Sequence, residues 1–172
     1  MIELKANKSI ILQGIYVGTA SGQTIRCSNP KDETNFNVFQ DNRFGPNVTS
    51  ENFDIKEYTR GGKLINNKFD GTDMRGIHAS ISWVALKGSD YEVIGNIGRG
   101  LAVEGGGIRV VKRGPGQASF NILKNNTCYG LIKESYCVYV DLKTTGNILG
   151  RGKEKNAVLE SSDGSLVTNY FD

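Results

Sequence analysis

The sequence predicts an all-β fold, a right-handed parallel β-helix of about five to seven coils, with residues 1–172 forming one domain. Three observations predict it. First, four apolar segments run into an asparagine that is followed by one residue and then, usually, a hydrophobe or a small residue. The asparagines are Asn42, Asn67, Asn96 and Asn126. Their recurrence every ~25–30 residues marks stacked units rather than a conventional globule. Second, each unit carries a further short strand, in which inward hydrophobes alternate with outward positions. Third, no segment of ten or more residues shows an amphipathic helical stripe. Residues 76–81 come nearest and are too few to hold a helix alone.

The further strands fall at residues 23–27, 52–57, 82–87, 107–112 and 136–141. Phe53/Ile55, Val84/Leu86, Ile108/Val110 and Val138/Val140 should point into a common core. Asp54/Lys56, Ala85/Lys87, Arg109/Val111 and Tyr139/Asp141 should point outward. Residues 9–12 start the stack, and 145–149 and 157–160 read as shorter last coils. A β-sandwich would need tight hairpins. Asp70-Gly71 and Asp163-Gly164 are the only pairs of that kind, and neither lies between well-matched strands. The periodic asparagines read as structural, because they tolerate the dihedrals of a sharp bend and their amides can bond along a column. The ends of such a stack expose strand edges, which predicts self-association through the ends or one face.

Composition narrows the function classes. The net charge is +3, with bases interleaved among acids, which argues against nucleic acid as a partner. No apolar run approaches the ~20 residues of a membrane span, and residues 1–8 have no signal-peptide pattern. The 22 glycines and 3 prolines fit many tight turns between short strands. Cys27, Cys128 and Cys137 contain no CxxC pair, so a zinc site is not expected. They read as small buried hydrophobes. A Cys128–Cys137 bridge, leaving Cys27 free, is the alternative.

Residues 47–57, the run Asn66-Asn67-Lys68-Phe69-Asp70-Gly71, and Ser82-Trp83-Val84-Ala85-Leu86-Lys87-Gly88 together resemble right-handed parallel β-helix repeat proteins of the pectate-lyase-like superfamily. The resemblance spans about residues 20–150. It departs at Ala85, where the pattern has an acid. It implies a secreted protein that meets an acidic polysaccharide or another glycan. Lyases of that superfamily remove the C5 proton of a uronic acid with a Lys or Arg base, while a cation, often calcium, neutralises the carboxylate.

On that footing the candidate catalytic residues are Lys56, Lys87 and Arg109. Lys56 and Lys87 should be equivalent positions on adjacent coils, where mutual repulsion lowers an ammonium pKa toward that of a base. Arg109 could clamp a carboxylate. Asp54, Glu57, Trp83, Tyr139 and Asp141 complete the substrate-binding set. No dedicated metal site is expected, although calcium is an open cofactor through Asp54, Glu57 and Asp141. Each charged residue also has a plainer reading as a solvated ion pair, and Trp83 one as partial core. His78 lacks triad partners. Gly105–Gly107 and Gly114-Pro115-Gly116 read as turns. Three N-glycosylation patterns, at Asn7, Asn47 and Asn125, match the frequency expected by chance. Two functions follow: a polyuronide lyase, or a non-catalytic structural or glycan-binding module of a spike, coat or adhesin. Ice binding is disfavoured because no Thr-x-Thr ladder recurs.

Overall fold

In a computed structural model, the described residues are 35–48, 50–74, 82–100, 107–114, 117–132 and 135–157, with backbone alone at 2–4, 11–13, 16–17, 25–27, 158–159 and 169–171. His78 and the short stretch 76–81 lie outside them. The strands in chain order are β1 (Ile2–Leu4), β2 (Ile11–Gln13), β3 (Tyr16–Val17), β4 (Ile25–Cys27), β5 (Val38–Gln40), β6 (Arg43–Phe44) and β7 (Phe53–Ile55). Then come β8 (Lys63–Ile65), β9 (Lys68–Asp70), β10 (Val84–Leu86), β11 (Glu92–Ile94), β12 (Ile97–Arg99) and β13 (Ile108–Val110). The last are β14 (Ile122–Lys124), β15 (Thr127–Tyr129), β16 (Val138–Val140), β17 (Ile148–Leu149), β18 (Ala157–Leu159) and β19 (Asn169–Phe171). The described helix content is a single 3₁₀ turn, Gly152–Glu154.

Every third strand joins the same sheet. Sheet A runs β1-β4-β7-β10-β13-β16-β19, sheet B β17-β14-β11-β8-β5-β2, and sheet C β18-β15-β12-β9-β6-β3. The pairings between named strands are all parallel. This is the expected parallel β-solenoid. Four coils, β5–β7, β8–β10, β11–β13 and β14–β16, are described with the side chains of all three strands, fewer than the five to seven anticipated.

The inward columns match the alternation. Phe53, Val84, Ile108 and Val138 stack in register, as do Ile55, Leu86, Val110 and Val140, and all are buried. Phe39, Leu64, Val93 and Leu123 form the column of sheet B. Phe39 and Phe44 meet Phe53 edge-on at 4.6 and 5.7 Å, while Phe44 stacks on Phe69 at 5.0 Å. Burying such side chains is worth roughly 1.5–3 kcal/mol each.

The corner between sheets B and C carries the asparagine column. Asn42 donates its amide to Asn67 (3.0 Å), Asn67 to Asn96 (3.0 Å), Asn96 to Asn126 (2.9 Å) and Asn126 to Asn156 (2.9 Å). Each amide oxygen also accepts the backbone N–H of the asparagine one rung earlier. The second amide hydrogen of Asn67, Asn96 and Asn126 goes to Phe39, Leu64 and Val93 oxygens. The residues just before, Asp41, Asn66, Gly95 and Asn125, all have positive φ. That left-handed step makes the bend, and Asn, Asp and Gly tolerate it best.

A disulfide joins Cys128, at the centre of β15, to Cys137, just before β16, with Cα atoms 5.5 Å apart. The reading of these two as free buried thiols is therefore corrected. Both lie in the core, where the strands' spacing brings the two Cβ atoms together.

Replacing Asn96 by alanine should lower unfolding free energy by at least about 2 kcal/mol, because buried backbone groups on both neighbouring rungs lose their partners. Urea denaturation checks this. Replacing both Cys128 and Cys137 by serine should cost about 2–3 kcal/mol in the same assay, the value expected for a closed loop of that length. Wild type in excess reductant should approach the variant.

Candidate functional site

Sheet A positions the predicted residues. β7, β10, β13 and β16 are adjacent, with Asp54, Ala85, Arg109 and Tyr139 directly in register on the outward side. One residue beyond the first two strands stand Lys56 and Lys87, and the N–H of Lys87 reaches Ile55 O across the rungs at 2.9 Å. The predicted equivalence of the two lysines is thus observed.

The pairing of Lys56 with Asp54 matches its plainer reading as an ion pair, but the sharing of that carboxylate with Lys87 was not foreseen. Asp54 Oδ2 is 2.6 Å from Lys56 Nζ and Oδ1 is 2.6 Å from Lys87 Nζ. One carboxylate serves two ammonium groups, one on each oxygen. The expectation of outward, solvated residues needs correction here: Asp54 has 0% of its surface exposed and Ala85 3%. They do alternate with the core positions. Two long lysine side chains converging on a short aspartate help to take it out of water, because lysine stems cover neighbouring surface. Ala85, one rung along, is too small to rise above its neighbours.

Lys87 is itself only 6% exposed. Burial is the main influence on its ammonium and pushes the pKa below the ordinary 10.5; Asp54 opposes this, Lys56 adds to it, and Glu51 opposes it weakly. The repulsion between lysines inferred from sequence is real but smaller than desolvation. Glu51, buried beside the cluster, accepts a hydrogen bond from Ser50. Lys56 is the accessible member, with 20% of its side chain exposed.

Arg109 is half-buried, and its guanidinium carbon lies 5.3 Å from the centre of the Tyr139 ring on the next rung. This cation–π contact orients the fork. Arg109 Nε finds no hydrogen-bond partner among the described residues. Glu57 is half-buried in the turn after β7, where Thr59 Oγ1 donates to Lys56 O at 2.9 Å and closes the bend.

Two predicted contacts are not assembled. Asp141 follows β16, three rungs from Lys56 in register and so on the order of 14 Å along the axis. Its carboxylate accepts the N–H of Lys143 at 2.9 Å and shapes a turn. The trio Asp54, Glu57 and Asp141 therefore forms no calcium cage, and no group of three His, Cys, Asp or Glu among the described residues could hold a metal. Trp83 lies wholly in the core, 1% exposed, rather than on a sugar-facing surface. Gly98 and Gly107 make room for it, since a Cβ on either would collide with its ring. Gly98 occupies the inward position of sheet C that Phe44 and Phe69 fill on earlier rungs. That glycine was the available sequence signal for a buried Trp83.

Sequence reasoning also missed Asn156, and a second asparagine set at the corner before sheet B. Asn121 donates to Asn147 at 3.0 Å, and Tyr91 N donates to Asn121 at 2.9 Å.

A solved polysaccharide lyase shares the fold. It is an alginate lyase from Paenibacillus sp. str. FPU-7, superposing with a TM-score of 0.63 at 22% identity over 87% of this chain and 56% of that one. The chain thus spans little more than half of that lyase's length, and identity at this level speaks for fold alone. No protein-family model and no curated protein matches the chain. No helix among the described residues is long and apolar enough to cross a membrane.

The lowered Lys87 pKa has a readable consequence. Between its native value and the ordinary 10.5, the unfolded chain binds more protons than the native one. Stability attributable to this residue therefore rises with pH across that interval. Urea midpoints measured up to pH ~10.5 should show the rise in wild type and a flatter curve in Lys87→Met. Parallel curves would remove the assignment.

Proposed function

We propose that this chain is a secreted, carbohydrate-interacting β-helix of the pectate-lyase-like superfamily that cleaves an acidic polysaccharide by β-elimination. The observation carrying the reading is the buried Lys56–Asp54–Lys87 cluster, with Arg109 one rung beyond Lys87 and Tyr139 two rungs beyond it on the same sheet. The fold shared with an alginate lyase is consistent with it.

In this reading Lys87 is the base. Burial raises the fraction of neutral amine, and a neutral amine can take the C5 proton of a uronate. The C5–H electron pair becomes the C4=C5 double bond, the C4–O bond breaks, and the departing oxygen takes a proton. Arg109 pairs with the uronate carboxylate, withdrawing negative charge as the carbanion-like state develops. Tyr139 holds Arg109 by its ring face. Lys56 adds positive charge at the accessible edge, and Asp54 positions both lysines. The disulfide accords with an oxidising, extracellular location.

A second reading is a non-catalytic glycan-binding or structural module. It is favoured by one observation: Lys87 Nζ is held by Asp54 at 2.6 Å and is nearly sealed from solvent.

The test is ultraviolet absorbance of unsaturated product from alginate, polygalacturonate and chondroitin, each with and without calcium. The lyase reading expects turnover of at least one polyanion, with kcat reduced about 10²–10⁴-fold in Lys87→Met. Absence of product from every polyanion leaves the module reading standing.

A further inference from the structure

The bend after β7 is longer than its counterpart after β10. Ile55 pairs with Leu86, and the next pair is Arg60 with Ser89, so residues 56–59 on one rung lie opposite residues 87 and 88 on the next. The β7 rung therefore bulges outward at Lys56. Insertions of this kind re-aim side chains and gather beside functional sites.

The bulge is firmly anchored. Thr59 is buried; its hydroxyl donates to Lys56 O at 2.9 Å and accepts from the Tyr91 hydroxyl at 2.9 Å. Its carbonyl accepts the N–H of Ser89 at 3.0 Å. Inside this frame Tyr58 takes a φ of 69° and keeps 56% of its surface exposed. Left-handed backbone is costly for an aromatic residue. Phe36 and Phe120 also adopt it, but they make the corner step, and their rings seat against Gly61 and Gly146. Tyr58 has neither explanation. Gly61 makes the corner step after β7, and no side-chain hydrogen bond or ring contact holds Tyr58 among the described residues. Its ring is thus held in solvent at a conformational cost that packing does not repay.

Tyr58 lies two residues beyond Lys56, the accessible ammonium of the cluster, so their Cα atoms are within about 7 Å. Lys56 in turn stands one rung, about 4.8 Å, from Lys87. We infer that Tyr58 is a specificity-determining residue, its ring stacking on the C–H face of the pyranose unit next to the one at Lys87. The apolar face of a sugar packs on an aromatic plane as other hydrocarbon does. Glu57, between the two residues, repels an acidic group, so the carboxylate of that unit turns toward Lys56. The inference rests on the carbohydrate-interacting reading above, and its test is independent of turnover.

The test is calorimetric titration with saturated trimers of guluronate and of galacturonate, in a Lys87→Met background so that cleavage does not consume the ligand. The background protein should bind at least one trimer, and adding Tyr58→Phe should leave that affinity unchanged. Adding Tyr58→Gly should weaken it about tenfold. In the otherwise unaltered chain, Tyr58→Gly should raise the urea midpoint, because it lifts the strain, so weaker binding cannot come from a lost fold. The inference is overturned if the background binds neither trimer, if Tyr58→Gly binds as tightly as the background, if Tyr58→Phe loses as much as Tyr58→Gly, or if Tyr58→Gly lowers the urea midpoint. Wild type that makes no product while this binding pattern holds would remove the lyase step and leave the subsite. Turnover with affinity indifferent to Tyr58 would do the reverse.

Discussion

A parallel solenoid must turn sharply at each corner without breaking the hydrogen bonds that run between its rungs, and this constraint organises the molecule. At the sheet B to sheet C corner the solution takes two residues. The first adopts positive φ, as in Asp41, Asn66, Gly95 and Asn125. The second is an asparagine whose amide bonds its counterparts above and below and a strand carbonyl beside it. A single side chain satisfies donors and acceptors that the bend would otherwise leave buried and unpaired. The column also fixes register. A slip of one residue between rungs would remove every asparagine from its partner and turn each core hydrophobe outward.

The corner between sheets A and B solves the same problem less regularly, which shows where sequence reading loses its grip. Its register positions read Asn37, Gly62, Tyr91, Asn121 and Asn147, because Lys63, Glu92, Ile122 and Ile148 donate to the carbonyls of the first four in turn. The preceding residues, Phe36, Gly61, Asp90, Phe120 and Gly146, again have positive φ. Tyr91 breaks the asparagine run. Its hydroxyl donates to Thr59 Oγ1 at 2.9 Å, and its ring occupies space that a Cβ at Gly62 or Gly88 would invade. A column of one residue type advertises itself by period, whereas a column that swaps an amide for an aromatic ring does so only after the rungs are aligned. Asn156 was hidden for a simpler reason: the five residues before it, Arg151-Gly152-Lys153-Glu154-Lys155, are charged or glycine, so no apolar run leads into it.

For the candidate site, the facing of side chains was legible and their burial was not. Alternation correctly put Asp54, Lys56, Lys87 and Arg109 on the outward side of sheet A, since facing follows from the period of two. Exposure depends instead on the length of neighbouring side chains and on what they bond. Asp54 is short, with a lysine on each carboxylate oxygen, so an outward residue is buried. Trp83 lies in the core, as its plainer reading had it, and not on the sugar-facing surface. Its position ahead of β10 hinted at a strand entrance, but the missing side chains at Gly98 and Gly107, on other rungs, decide its place. Such vacancies become visible only when residues distant in sequence are superimposed.

Under the proposed function, the shared aspartate reconciles two demands that conflict in a single lysine. A proton acceptor at neutral pH needs a depressed pKa, which burial supplies, yet it must be reached by its substrate, which burial opposes. A cluster of two ammonium groups around one carboxylate divides these demands. Lys87 lies deep and has the lowered pKa, while Lys56 stands nearer the solvent edge. In the proposed lyase, the carboxylate of an approaching polyanion would compete with Asp54 for Lys56 and loosen the clamp that holds Lys87. Ion pairs removed from water seldom improve stability over apolar packing, so under the proposed function the cluster finds its rationale in the anion it would receive.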